Sequence, residues 1–190
     1  MEVTLLSNIL KNEDGENQFG LLSEDFVCKN KDVEAFLKKK AAQSSKLYTS
    51  ATYLISEITD RVDLVGYFTL ATKMLIIKQE NLSSQQSRII KRFVSSGVDD
   101  HTFELPAILL AQFGRNFSQN SISISGKELM KIALERIEIA ISLTSGKVVF
   151  LECEPYPKLI AFYEECGFKC LDNHVVSKDK KQLIQMFRVI

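Results

Sequence analysis

The stretch "VVFLECEPYPKLIAFYEECGFKCLDN", residues 148–173, places Tyr163 in the middle of a short helix directly after a strand. Phe162 stands beside it and Gly167-Phe168 closes the unit. A tyrosine hydroxyl titrates at about 10 and a free thiol at about 8.5, so a phenol held over a departing thiolate is protonated at neutral pH and can give up a proton to it. Ordinary packing under a sheet, with the hydroxyl satisfied, explains the same residue types, and taken alone the stretch favours packing.

A second candidate is the loop "QFGRNFSQNSISISGKELMK", which leaves a strand and enters a long helix. Ser125 can cap that helix, and Gly126 opens it without a side chain in the way. Backbone amides from Ser125 through Gly126, Lys127 and Glu128 to Leu129 would then point into the loop. Such a start attracts anions through its amides and the helix dipole. A serine-capped core helix is the plainer account, since the loop is neither GxGxxG nor GxxxxGK[ST]. Arg115, Lys127 and Lys131 could add positive charge there or simply be solvated surface groups.

Other chemistries find little support. The chain has four cysteines and two histidines, with no CxxC pair, so neither a zinc site nor a disulfide framework is indicated and buried thiols are expected. GxSxG is absent and neither histidine lies in a nucleophile context. Lys and Arg number 24 against 24 Asp and Glu, so no global field draws a polyanion. The run Lys38 to Lys40 reads as the solvated end of a helix. The apolar runs are too short to cross a bilayer, and the first residues lack a basic region followed by a long apolar core. A cytoplasmic protein is expected.

The elements that would position these groups follow from periodicity. At 190 residues the chain suits one domain, 1–190. Strands are predicted over 2–10, 47–58, 64–77, 103–114, 148–154, 168–171 and 183–190, and helices over 29–46, 83–97, 126–143 and 156–166. "NEDGEN" reads as a turn, with Asn30 or Asp32 as the cap of the first helix. The order gives an α/β fold with a mixed sheet, antiparallel in its N-terminal half and joined by a parallel crossover in its C-terminal half. The last strand, "LIQMFRVI", either completes the sheet or pairs with another chain in a homodimer.

With the elements in order, the chain resembles the GCN5-related N-acetyltransferase superfamily, and within it a bacterial subgroup of acetyltransferase toxins. "FVCKNKDVEAFLKKKA" and "LVGYFTLA" look like its N-terminal half, and "LPAILLAQFGRN", "ISISGKELMKIALERI" and "VVFLECEPYPKLIAFYEECGF" like its acetyl-CoA half. The resemblance implies that the strand before the long helix splays from its neighbour and offers main-chain groups of Leu110, Ala111 and Gln112 to the pantetheine arm. It also implies that the following loop and helix start, with Arg115 and Ser125 to Leu129, bind the pyrophosphate. The usual (Arg/Gln)-x-x-Gly-x-(Gly/Ala) pattern is kept only at Gly126, with Ser121 at its first position and Ile124 at its middle glycine.

Acetyl transfer to an amine needs a neutral amine, a donor for the developing oxyanion and a proton for the thiolate. The resemblance carries the last role onto Tyr163. Glu104 is the first candidate for the base and His101 the second, with a main-chain amide of Leu110 to Gln112 as the oxyanion donor. Tyr67 or Phe68 could line the acceptor groove. The implied activity is direct transfer from acetyl-CoA to a small-molecule, protein or aminoacyl-tRNA amine, with no metal. A non-catalytic CoA-binding or protein-interaction module on the same fold is the rival.

Overall fold

Leu6, Ile9 and Leu10 recur at the spacing of one helical face, and that spacing overrides a strand through residue 10. In the computed structural model, which describes residues 1–94, 101–118, 123–144, 146–176 and 181–190 and, at 172–174, the backbone alone, strand β1 (Glu2–Leu5) gives way to a single helical turn, α1 (Leu6–Ile9). The chain divides into two compact units, Met1–Ala71 with Ala111–Glu135 and Thr72–Leu110 with Arg136–Ile190.

In the first unit residues 12–14 of "NEDGEN" make the predicted turn, and residues 15–17 already open a helix, α2 (Gly15–Glu24). Its Asn, Asp and Gly content hid Phe19 and Leu22, which share a helical face and pack with Phe26, just past the helix end, in the core. The helix expected over 29–46 is broken at Lys40 into α3 (Lys31–Lys39) and α4 (Ala41–Lys46). Asn30 caps α3, its side chain accepting from the amides of Asp32 at 2.9 Å and Val33 at 3.4 Å. Strands β2 (Ala51–Ile58) and β3 (Val62–Lys78) form the predicted antiparallel hairpin, from Ala51↔Leu70 to Ile58↔Val62, and β1 pairs antiparallel on the other side of β2. Leu6, Phe19, Phe26, Leu37, Leu54 and Tyr67 form the core beneath; fully burying a side chain of this size is worth about 1.5–3 kcal/mol.

Gly15 is required by space. A Cβ there would fall on the Ile9 carbonyl and lie 2.9 Å from Leu10 Cα, both backbone atoms. Gly15→Ala is expected to lower the unfolding free energy by about 2–3 kcal/mol, read as a lower urea midpoint. An unchanged midpoint would mean that the link between α1 and α2 yields freely.

The second unit takes the distal end of β3, helix α5 (Ser84–Ile90), strand β4 (Thr102–Arg115) through Leu110, the end of helix α6 (Gly126–Thr144), β5 (Val148–Cys153), α7 (Pro157–Glu165), β6 (Lys169–Val176) and β7 (Gln182–Val189). Ser83 and Gln86 cap α5 reciprocally. Gly97, the residue predicted to end that helix, lies outside the described residues. Within this unit the strand order is β3-β4-β5-β7-β6. β4 and β5 are parallel, whereas β7 is antiparallel to both β5 and β6. The final strand therefore completes the sheet and offers no open edge of its own, which removes the ground for a homodimer through it. Leu75, Ile77, Ile90, Phe103, Phe150 and Phe187 anchor the core of this unit. The α/β class, with an antiparallel N-terminal half and a parallel crossover later, is the one the sequence predicts.

Candidate functional site

Ser125 followed three residues later by Glu128, just before the apolar positions Leu129, Ala133 and Ile137, is the sequence pattern of a reciprocal helix cap. α6 begins that way. The Glu128 amide donates to Ser125 Oγ at 3.1 Å and the Ser125 amide donates to Glu128 Oε2 at 2.9 Å. The Leu129 amide donates to the Ser125 carbonyl at 3.1 Å. The amides of Ser125, Glu128 and Leu129 are thus taken up by the cap and the first helical turn. This corrects the expectation that the whole run faces an anion and leaves the Gly126 amide at the head of the helix.

The Ser125 hydroxyl, and then its amide, hold the Glu128 carboxyl below the usual range. Because the folded-state value is lowered, the stabilisation from the charged cap is present above the ordinary glutamate range and is lost as pH falls below it. A carboxylate sits where a pyrophosphate would use the same dipole. Glu128→Gln keeps the cap pattern and removes the charge, so it is expected to tighten acetyl-CoA binding about 3–10-fold by calorimetry. Equal or weaker binding would show that the carboxylate does not compete.

Arg115 is committed within its own loop. Its Nη1 donates to the Ile124 carbonyl at 2.8 Å, and its guanidinium lies 4.8 Å from the centre of the Phe117 ring, as does Lys29 Nζ. Ile124 is buried, Lys127 and Lys131 are exposed, and Ser121 lies outside the described residues.

On β4 the parallel ladder to β5 consists of Ile108↔Val149 and Leu109↔Phe150, although both strands continue beyond it. Leu110 is the first β4 residue past the ladder, as a strand that parts from its neighbour requires. Leu110 is buried, Ala111 and Gln112 are half-buried, and Gln112 Oε1 is sealed from solvent with no hydrogen-bond partner among the described residues. Glu104, the candidate base, is half-buried on the same strand, and His101 is exposed just before it, its carbonyl accepting from the Gln79 amide at 2.9 Å.

In the second unit, Pro157 at the start of α7 and Gly167 after its end define a short helix, and Gly167 has a φ of 86° that favours glycine. The Phe168 amide donates to the Tyr163 carbonyl at 3.0 Å. Tyr163 itself is 7% exposed. Its ring meets Phe162 edge-on at 5.2 Å and Phe168 at 5.9 Å. Burial, with smaller contributions from the thiols of Cys153 and Cys166, pushes its pKa well above that of an ordinary tyrosine, so the hydroxyl keeps its proton. The four cysteines are free, and burial pushes Cys153 up to about 11.

The structure does not put Tyr67 or Phe68 on a groove. Tyr67 is fully buried, donates its hydroxyl to the Val33 carbonyl and packs edge-on against Phe26 at 5.5 Å; Phe68 is fully buried and stacks on Tyr53 at 5.1 Å. Tyr67 belongs to the core because the face of β3 that bears it is covered by the N-terminal helices.

Asn116 escaped the sequence reading. It is buried, accepts from the amides of Val27 at 3.0 Å and Ser118 at 2.9 Å, and donates to the Leu64 carbonyl at 2.8 Å. Its own amide donates to the Val65 carbonyl at 2.9 Å. One side chain thus ties three segments together immediately after β4. A short polar side chain at a strand end hints at backbone bonding, but its partners at Val27 and Leu64 lie 89 and 52 residues away.

No family model matches the chain, and no curated protein matches it. Solved structures do. AtaT complexed with acetyl-methionyl-tRNAfMet has a TM-score of 0.65 at 17% identity, covering 96% of this chain and 92% of that one. A bacterial toxin has a TM-score of 0.64 at 19% identity, covering 100% of this chain and 91% of that one. AtaTR bound with AcCoA has a TM-score of 0.57 at 15% identity, covering 96% and 90%. At these identities the likeness is one of fold, and it is the fold that the resemblance to the GCN5-related N-acetyltransferase superfamily implies.

Proposed function

We propose that this chain is an N-acetyltransferase that moves an acetyl group from acetyl-CoA directly to an amine. The acceptor nitrogen attacks the thioester carbonyl, the carbon–sulfur bond breaks, and Tyr163 gives its phenolic proton to the departing sulfur. A base, for which Glu104 is the first candidate, takes the proton from nitrogen, and a main-chain amide of the Leu110 to Gln112 stretch steadies the oxyanion. Main-chain groups of Leu110, Ala111 and Gln112 are assigned to the pantetheine arm, and the Gly126 amide at the head of α6 to the phosphate contact. The fold fits that co-substrate, since a structure sharing it is described as bound with AcCoA. No metal enters the reaction as written.

The observation that carries this reading is Tyr163, a phenol buried to 7% exposure and kept protonated, on the short helix that follows β5. Titrating the purified protein with acetyl-CoA in a calorimeter, followed by labelled acetyl transfer to a panel of amines, tests it. No saturable binding at millimolar cofactor would sink the proposal; binding without transfer to any amine would favour the non-catalytic module.

A second reading narrows the acceptor to the amine of an aminoacyl-tRNA. It is favoured by the likeness over 96% of the chain to AtaT, solved with acetyl-methionyl-tRNAfMet. Including charged tRNA in the acceptor panel separates it from small-amine and protein acceptors.

A further inference from the structure

We infer that a groove on the first unit receives a segment of another polypeptide in which apolar residues alternate with lysine or arginine. Its lining holds none of the groups assigned to acetyl transfer, so this interaction surface goes beyond that reading and does not depend on it.

Three separate stretches of the sequence, all in the first unit, form the groove, whose volume is about 640 Å³. They are the end of α2 with the residues after it, the turn from β2 into β3, and the residues after β4. Asn116 fastens all three. Its side chain accepts from the Val27 amide at 3.0 Å and the Ser118 amide at 2.9 Å and donates to the Leu64 carbonyl at 2.8 Å, one partner on each wall. The Phe117 amide adds a bond of 2.7 Å to the Val27 carbonyl. The walls are therefore held before anything binds, and an incoming segment does not have to order them.

The surface between the walls is apolar yet open to water. Leu21 is 66% exposed, Val62 54%, Val27 39% and Phe117 37%. Such residues scattered singly are ordinary, whereas four around one concavity mark an interaction site. A small-molecule pocket encloses most of its ligand; side chains this open suit a chain laid across them.

Charge selects the occupant. Glu24 ends α2 and Asp25 follows as its C-cap, so both carboxylates sit at the negative end of the helix dipole, with no basic residue in the last turn to offset them. Neither carboxylate has a hydrogen-bond or ion-pair partner among the described residues. The cations around the groove are engaged: Arg61 pairs with Asp63 at 2.7 Å, and Lys29 and Arg115 each lie 4.8 Å from the centre of the Phe117 ring. Uncompensated negative charge thus stands at the α2 wall beside the apolar surface. A lysine or arginine of the partner supplies the counter-charge there while its apolar neighbours cover Leu21, Val27 and Val62. A nucleic acid or an acidic segment would add more negative charge to that wall.

The test measures fluorescence anisotropy of short labelled peptides with the full chain. A peptide alternating lysine with leucine is expected to bind saturably, and more weakly as salt rises. The double variant Glu24→Gln/Asp25→Asn is expected to weaken binding about fivefold and flatten the salt dependence. Val62→Ser is expected to weaken it about threefold with the salt dependence kept. Glu135→Gln/Glu138→Gln removes the same charge from exposed positions of α6 that do not line the groove, and is expected to leave affinity within about twofold. Equal weakening by the two double variants overturns the inference, since only net charge is then felt. Equal binding of a peptide alternating glutamate with leucine, or lysine with serine, overturns it as well, by removing the charge or the apolar surface from recognition. Self-association of the chain that is lost in Val62→Ser, with no peptide bound, assigns the groove to a second copy and likewise overturns it.

Discussion

Replacing Tyr163 by phenylalanine is expected to lower acetyl transfer by about 10²-fold or more while acetyl-CoA affinity stays within about twofold, since general-acid catalysis contributes roughly 10²–10⁴. The substitution removes one oxygen and keeps the ring, so the edge-on contacts with Phe162 and Phe168 survive. Burial already disfavours the phenolate. Two consequences separate chemistry from packing. The wild-type rate should show no alkaline fall at the ordinary tyrosine value of about 10, because the buried hydroxyl holds its proton beyond it. The variant should also unfold at nearly the wild-type denaturant concentration. A variant that binds and turns over like the wild type would reduce Tyr163 to a core residue and remove the observation on which the proposed function stands.

The largest effect on stability is expected at Asn116. Asn116→Ala deletes an acceptor for the Val27 and Ser118 amides and a donor to the Leu64 carbonyl, in a site that is 9% exposed. Partners left unsatisfied in the interior cost about 1–3 kcal/mol each, so a loss of about 3 kcal/mol is expected even if water enters to replace one of them. For a chain of this size that corresponds to a fall in Tm of about 6–12 °C. Differential scanning calorimetry reads it directly, and a shift under about 2 °C would mean that the three segments hold without their shared side chain.

These two residues also mark the limits of what the sequence could reveal. The place of Tyr163 on a short helix after a strand was legible because its setting is local: a β-rich run, a proline at the helix start, two neighbouring aromatics and a glycine at the end are all contiguous. The cap at Ser125 was legible for the same reason, being a pattern three residues long. What the pattern did not disclose was its consequence, that Glu128 uses the helix start for its own carboxylate. Asn116 was not legible, because its meaning depends on backbone groups far away in sequence. α1 and α2 were missed for a different reason. Their polar residues have turn propensity, and only the apolar positions Leu6 and Ile9 in one and Phe19 and Leu22 in the other make them helices. Of the two readings open for Tyr67 and Phe68, core or acceptor groove, full burial leaves the core.

The place of β7 bears on how the second unit comes into being. It is an inner strand, bonded to β5 on one side and β6 on the other. Until Gln182–Val189 are inserted, β5 has a bare flank and β6 has nothing to pair with, since its described partner strand is β7 alone. The pairing of β7 with β5 spans an intervening helix and strand, the kind of non-local contact that slows folding. Met186 and Phe187, fully buried on that inner strand, fasten it to both neighbours, and they are remote in sequence from every group assigned to the chemistry.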